Sequence, residues 1–117
     1  MVDGMHLTPI GSRTVLLEPR DGMDPGDPEA YAEPLLQYLQ RNQARRLIYD
    51  LKNVPVIDEL YYAWLVRVSA LCQIAGIDLV TANMRPAAAY ALALMLTAPP
   101  PFTCALDVDS ARGVARR

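Results

Sequence analysis

The feature that most constrains this chain is an alternation. Short apolar runs of strand length take turns with stretches whose apolar residues recur at helical spacing, with prolines and glycines at the changeovers. Leu47-Ile48-Tyr49-Asp50-Leu51, Ile77-Asp78-Leu79-Val80-Thr81 and Phe102-Thr103-Cys104-Ala105-Leu106 are the strand-type runs. Between the first two, Tyr61, Trp64, Leu65, Val68, Leu71, Cys72 and Ala75 fall at i, i+3, i+4, i+7. That spacing predicts an amphipathic helix over 58–75, stopped by Gly76. Strands and helices that alternate at this length imply parallel pairing through helical crossovers.

The remaining segments extend the pattern at both ends. Residues 5–19 read as a hairpin about the turn signal Gly11-Ser12-Arg13, with Pro9 assigning its first run to a sheet edge. Pro19 to Asp27 is a loop by composition. Asp27-Pro28 reads as a helix start, with the Asp27 side chain as cap, and Tyr31, Leu35, Tyr38 and Leu39 form its buried stripe. Pro34 predicts a kink or a restart, and Arg41, Arg45 and Arg46 close the segment where a helix dipole favours cations. Pro86 opens a further helix through Ala87, Tyr90, Leu94 and Met95, ended by Pro99-Pro100-Pro101, and Asp107 caps a short last helix. The expected order is β-β-α-β-α-β-α-β-α: an α/β fold with a mixed, mostly parallel sheet flanked by helices. At 117 residues, the span 1–117 is expected to be a single domain.

Several functions are disfavoured by what is missing. A net charge of −2 is far from the concentrated basic surface that neutralises nucleic-acid phosphates, so no nucleic-acid partner is expected. The six glycines form neither GxGxxG nor GxxxxGK, and His6 is the only histidine, so phosphate loops, Ser-His-Asp chemistry and clustered metal sites lack their residues. Asp50, Asp58 and Asp78 could in principle do acid–base work, but strand-end aspartates more often cap loops and helices. Neither a catalytic residue nor a cofactor is expected. Cys72 and Cys104 each sit in an apolar run and read as buried thiols of a reducing compartment. Residues 1–6 lack the apolar stretch of a signal peptide, and the most apolar segment, Ala87 to Ala98, is about 12 residues against about 20 for a bilayer span. A soluble cytoplasmic protein is the expectation.

The informative stretch is Leu47 to Leu60. A strand ending in Asp50 runs into a loop that re-enters the core at Val54, Val56 and Ile57, then starts a helix at Asp58-Glu59. Two carboxylates thereby sit on a first turn whose amides and dipole favour negative charge. The pattern Leu-Ile-Tyr-Asp-Leu-x-x-Val-x-x-Ile-Asp at 47–58, with Leu79-Val80-Thr81 and then Arg85-Pro86-Ala87, resembles the STAS domains of anti-sigma-factor antagonists. Within that family the likeness is to the small, single-domain scaffold antagonists of the bacterial stressosome, which have a similar Gln-Pro-Ala-Val-Ala stretch where this chain has Arg85 to Ala89.

That resemblance implies a non-enzymatic docking domain. Its partners would be an anti-sigma-type serine/threonine kinase and STAS scaffold proteins, with homo-oligomers possible and no membrane insertion. The family's residue after the switch-site aspartate is usually a phosphorylated serine or threonine; here it is Glu59, which cannot accept a phosphoryl group and is an imperfect mimic of a phosphoserine. Either the chain is held in a state like the phosphorylated one, or it is an unswitchable scaffold. The expected partner-binding residues are Asp58, Glu59, Tyr62 and Val66, the last two exposed beside the acids, with Thr81 at a strand end as a second family acceptor position. Ser69 and Gln73 also fall off the apolar stripe. An alternative is a STAS accessory subunit of a membrane transport system for lipids or anions. A small-ligand pocket between the 19–27 loop and the 58–75 helix is a third.

Overall fold

The central strand explains the architecture. Arg46–Asp50 is buried at all five positions, so it must be covered on both faces. In the computed structural model, which describes residues 2–115, the elements are β1 (Met5–Pro9), β2 (Thr14–Pro19), α1 (Glu29–Arg41), β3 (Arg46–Asp50), α2 (Glu59–Ile74), β4 (Asp78–Ala82), α3 (Pro86–Met95), β5 (Thr103–Ala105) and α4 (Val108–Arg112). The five strands lie in the order β1-β2-β3-β4-β5. β1 pairs antiparallel with β2, and the other three pairings are parallel. This is the α/β order expected from the sequence, with β1 at the edge. Met1, Arg116 and Arg117, the ends of the expected 1–117 domain, lie outside the described residues.

Successive crossovers each step one strand in the same direction, so crossovers of one hand put α1, α2 and α3 on the same face. The packing agrees. Tyr31, Leu35, Leu39, Trp64, Leu65, Val68, Cys72, Ala88 and Leu92 share one cluster with Val15, Leu17, Leu47, Tyr49 and Leu79. The strand residues of opposite parity, Ile48, Val80 and Ala82, meet Ala111 of α4 on the other face.

Several local expectations change. The α1 helix has Pro28 at its cap position and no side-chain cap, so Asp27 does not play that part. It runs through Pro34 without a restart. Pro34 is exposed near the helix start, where its ring deprives only the solvent-facing carbonyl of Ala30 of a partner. Arg46 belongs to β3 rather than to the end of α1. It is buried, donating to the carbonyls of Ala111 (3.0 Å) and Arg112 (3.1 Å) and lying 3.5 Å from Asp78. Only Cys72 is buried; Cys104 is exposed on the edge strand β5. The last strand is three residues long and leaves Leu106 outside it, 84% exposed. Helix α2 ends as expected: Gly76 at φ +73° turns the chain, and the Ile77 amide reaches back to the Cys72 carbonyl (2.8 Å).

Helix α3 starts at Pro86 as expected, and packing sets its phase. Ala88 and Leu92 are its buried residues, whereas Tyr90 and Leu94 face solvent. Apolar residues occupy every side of α3, so spacing alone does not select the inward stripe. Leu92→Ala should therefore cost about 2–4 kcal/mol of unfolding free energy by cavity formation, and Leu94→Ala less than about 0.5. Urea titrations at constant m-value check the pair, and equal losses would put α3 in the other phase.

Candidate functional site

Three loops leave the C-terminal ends of the parallel strands and meet around the start of α2. Asp50, the last residue of β3, is buried and organises them. One carboxylate oxygen accepts from the Lys52 amide (2.9 Å) and from the Asn83 side chain (3.1 Å), and the other lies 3.5 Å from the Lys52 ammonium. Arg85, just before α3, donates to the Lys52 carbonyl (2.8 Å). The aspartate thus ties loops together, the structural role that strand-end aspartates commonly have.

Beyond Lys52 the loop returns to the core at Val54 and Ile57, both buried. Val56 does not follow them and is 66% exposed. Alternation along this extended stretch turns Ile57 in and Val56 out.

Asp58 then caps α2. Its backbone is extended (φ −84°, ψ −176°), its side chain accepts from the Tyr61 amide (2.8 Å), and its carbonyl accepts from the Tyr62 amide (2.9 Å). Asp58, Glu59 and Leu60 are all exposed. Two carboxylates and two apolar side chains, Val56 and Leu60, consequently stand at one rigidly capped helix tip.

The tip is anchored from below. The hydroxyls of Tyr61 and Tyr49 are 2.7 Å apart, and the Trp64 indole N–H donates to the Tyr49 hydroxyl (3.0 Å). Trp64 also meets Tyr31 edge-on (5.8 Å). Burial holds the Tyr49 phenol well above its usual range, with Tyr61 adding to the effect, and burial pushes Tyr61 up to about 12. The β2–α1 loop flanks this anchor: its Asp24 amide donates to the Tyr31 hydroxyl (3.0 Å), and Gly26 lies against Leu60. Between that loop and Asn53 to Val56 is a cavity of about 250 Å³, with Met23, Val54 and Tyr61 in its wall. This is where the sequence suggested a small-ligand pocket, and its wall also holds Arg20, Asp21 and Asn53.

The other expected site residues are placed differently. Tyr62 and Val66 are half-buried against the main core, Tyr62 tilted on Phe102 at 6.2 Å, because they face the β5 side instead of solvent. Ser69 is buried and donates to the Pro101 carbonyl at 3.4 Å, while Gln73 is exposed as expected. Thr81 is inside β4, 0% exposed, beside Tyr49 in the parallel register. A side chain in that position cannot meet a partner or a kinase while the sheet is intact. Asp58 and Glu59 come together at the tip; Thr81 does not join them. The sequence reading omitted Leu60, although an apolar residue just past two helix-start acids is a visible signal.

This arrangement of sheet and helices is the STAS fold. In particular it is similar to the stressosome protein RsbS from Moorella thermoacetica, in a variant whose serine is replaced by glutamate, with TM-score 0.73 and 19% identity over 93% of this chain and 92% of that one. It is also similar to a chain from the molecular architecture of the stressosome, described as a signal integration and transduction hub (TM-score 0.77, 18% identity, 92% and 93% covered). A third likeness is to the NMR structure of the protein TM1081 (TM-score 0.76, 12% identity, 97% and 86% covered). No protein-family model and no curated protein matches the chain. Among the described residues no helix is long and apolar enough to cross a membrane.

Two predictions follow from the tip's construction. Asp58→Ala removes the acceptor for the Tyr61 amide and should cost about 1 kcal/mol, while Glu59→Ala should change stability by less than about 0.5. Thermal or urea denaturation of the two variants reads this directly, and equal effects would deny Asp58 its capping role.

The second concerns alkali. The phenol of Tyr61 and the thiol of Cys72 are both held near 12 in the fold, above their ordinary 10.0 and 9.0. A raised value means that the unfolded chain loses its proton first, so the folded state binds more protons over this interval and stability falls as pH rises. The contribution is complete below pH 9 and is lost progressively from about 9 to 12. Urea midpoints measured across that interval should decline, and Tyr61→Phe should make the decline above pH 10 less steep, with Tyr49 and Cys72 still contributing to it.

Proposed function

We propose that this chain is a non-enzymatic regulatory docking protein of the anti-sigma-factor antagonist and stressosome-scaffold kind, offering the first turn of α2 to a kinase of the anti-sigma type or to other STAS subunits. The observation that carries the reading is the exposed, capped tip: Asp58 and Glu59 beside exposed Val56 and Leu60, a mixed acidic and apolar surface of the composition found at docking sites. The likeness to RsbS and to a stressosome chain supports the same reading. The Moorella structure supports it further, since it carries a glutamate in place of serine, the exchange that Glu59 would represent here naturally.

Glu59 would act as a fixed charge. A carboxylate at the helix start is favoured by the dipole, costs the fold nothing, and is not removed by a phosphatase. Val56 and Leu60 would supply the apolar contact, with the half-buried Tyr62 and Val66 at its margin. The partner surface would be basic and apolar to match. Thr81, sealed in β4, has no part in this docking mode.

Titration calorimetry against an anti-sigma-type kinase and a STAS scaffold subunit tests it. Glu59→Lys should weaken binding by about 1–3 kcal/mol. Glu59→Ser should restore a phospho-acceptor, so that the kinase with ATP moves the terminal phosphoryl group onto the new hydroxyl and releases ADP. Equal affinity of all three forms would remove Glu59 from the mechanism, and co-purification with a transporter ATPase instead would transfer the chain to the transport-accessory reading.

A further inference from the structure

Charge is sorted between the two ends of the sheet. The loops that follow β2 and β3 expose Asp21, Asp24, Asp27, Asp58 and Glu59 at one end. At the other end, where the parallel strands begin, the chain exposes Arg13, Arg41, Arg45 and Arg112 and buries Arg46. Hydrogen bonds gather these arginines. The Arg45 and Arg46 amides both donate to the Arg13 carbonyl (2.7 and 3.2 Å), and Arg46 donates to the Arg112 carbonyl (3.1 Å). Arg112 in turn donates to the carbonyl of Ile10, beside the same turn as Arg13 (2.7 Å). Asp78 pairs with Arg46, and Asp109 stands three residues before Arg112 on α4. Among the described residues no carboxylate pairs with the four exposed arginines. The five residues of β3 hold the two ends roughly 16 Å apart, about two screening lengths at physiological salt, so the acids do not cancel this cluster.

Arg46 adds a second observation. Its Nε is buried and has no hydrogen-bond partner, although buried donors ordinarily find one. Arg46 also forms part of the wall of a cavity of about 230 Å³ at this end, with Ser69, Gln73, Asp78, Phe102 and Val114 around it. We propose that this end of the sheet docks an acidic segment of another protein, a run of Asp and Glu residues. One carboxylate enters the cavity at Arg46, and its neighbours pair with Arg13, Arg45 and Arg112 outside. The surplus of guanidinium groups over the single wall carboxylate, Asp78, leaves the cavity attractive to an incoming anion. The contact uses the end opposite the α2 tip and stands whether or not Glu59 docks a kinase.

Three features select this occupant. All five cations are arginines, whose planar fork pairs a carboxylate through two parallel hydrogen bonds, a geometry that an ammonium lacks. The cavity is a recess, which a carboxylate side chain enters and the flat face of an anionic bilayer does not. The cluster is also small. Its four exposed arginines match fewer phosphates than the about six to ten that firm duplex binding engages, and a long polyanion would run on past them toward the acids. A short acidic segment meets the arginines alone.

Fluorescence anisotropy of the full chain with a labelled peptide of about ten glutamates tests the proposal. Raising the salt from about 50 to about 300 mM should raise the dissociation constant at least about tenfold. Arg13→Glu and Arg45→Glu should each raise it at least about fivefold and leave the thermal melt unchanged, since neither side chain is paired within the fold. Arg20→Glu makes the same change of net charge at the acidic end and should leave binding as it is. In heteronuclear NMR the Arg46 Nε–H signal should shift as the peptide is added. No binding at low salt would overturn the proposal. So would equal weakening by Arg20→Glu, an Arg46 signal that does not move, or displacement of the peptide by inorganic phosphate at equal concentration. Tighter binding to phosphatidylserine vesicles or to duplex DNA than to the peptide would overturn it as well.

Discussion

Everything that positions the α2 tip is referenced to β3, a strand buried on both faces with one charged residue at each end. Leu47 and Tyr49 enter the larger core and Ile48 the smaller. Arg46 and Asp50 stay buried because each is hydrogen-bonded and faces an opposite charge, whereas an unpaired interior charge costs several kcal/mol. Each charge therefore dictates what surrounds it. Arg46 fixes the end of α4 through two carbonyls, and Asp50 gathers Lys52 and Asn83. Burial of a short strand thus becomes loop geometry at its far end. The path from Asp50 to the Asp58 cap is eight residues, with Val54 and Ile57 pinned in the core along the way.

That rigidity bears on binding. The tip is already capped and held beneath by the Tyr61–Tyr49–Trp64 chain of hydrogen bonds, so the docking proposed for it would leave little to order. The division of labour between neighbouring acids is also physical. Asp58 spends its side chain on the Tyr61 amide and belongs to the fold, while Glu59, one residue on, has no such duty and faces solvent. A residue that the fold does not need is available for recognition.

How much of this was legible in the sequence depends on which physical signal each residue carried. The strand order, the leading hairpin and the bounds of α2 could be read because period, punctuation and caps agree there: Asp58 and Gly76 bracket one strong stripe. The position of Asp58 and Glu59 at an exposed helix start was legible for the same reason. Pattern failed where both faces of an element are apolar. In α3 the residues Ala87 to Met95 offer two equivalent stripes, and tertiary packing chose Ala88 and Leu92. Thr81 reads as a strand end because the run before it is hydrophobic, yet β4 continues to Ala82 and shuts it in beside Tyr49. Tyr62 and Val66 fall off the main stripe of α2 but pack partly against the main core, Tyr62 on the distant Phe102, a long-range contact to which local spacing is blind. Arg46 went to the helix by charge and to the strand by burial, since only its distant carbonyl partners on α4 make its placement inside the protein tolerable.

The two proposed surfaces lie at opposite ends of β3 and carry opposite charge, and the topology explains why. Parallel strands all begin at one end of the sheet and finish at the other, so residues before the strands collect at one end and residues after them at the other. The helices run back between them, starting at the acid end and finishing at the arginine end. A helix dipole favours acids at its start and cations at its finish. Glu59 in the first turn of α2, and Arg41 and Arg112 in the last turns of α1 and α4, therefore sit where the dipoles stabilise them. Separating the charges opposes nothing in the fold. As a consequence the two ends would not compete: a basic partner at the α2 tip and an acidic one at the arginine end would each be steered by its own pole, while screening keeps either from sensing the other. One copy would then bridge two partners of opposite charge, and the bridge would loosen with salt at both ends together, without any covalent switch.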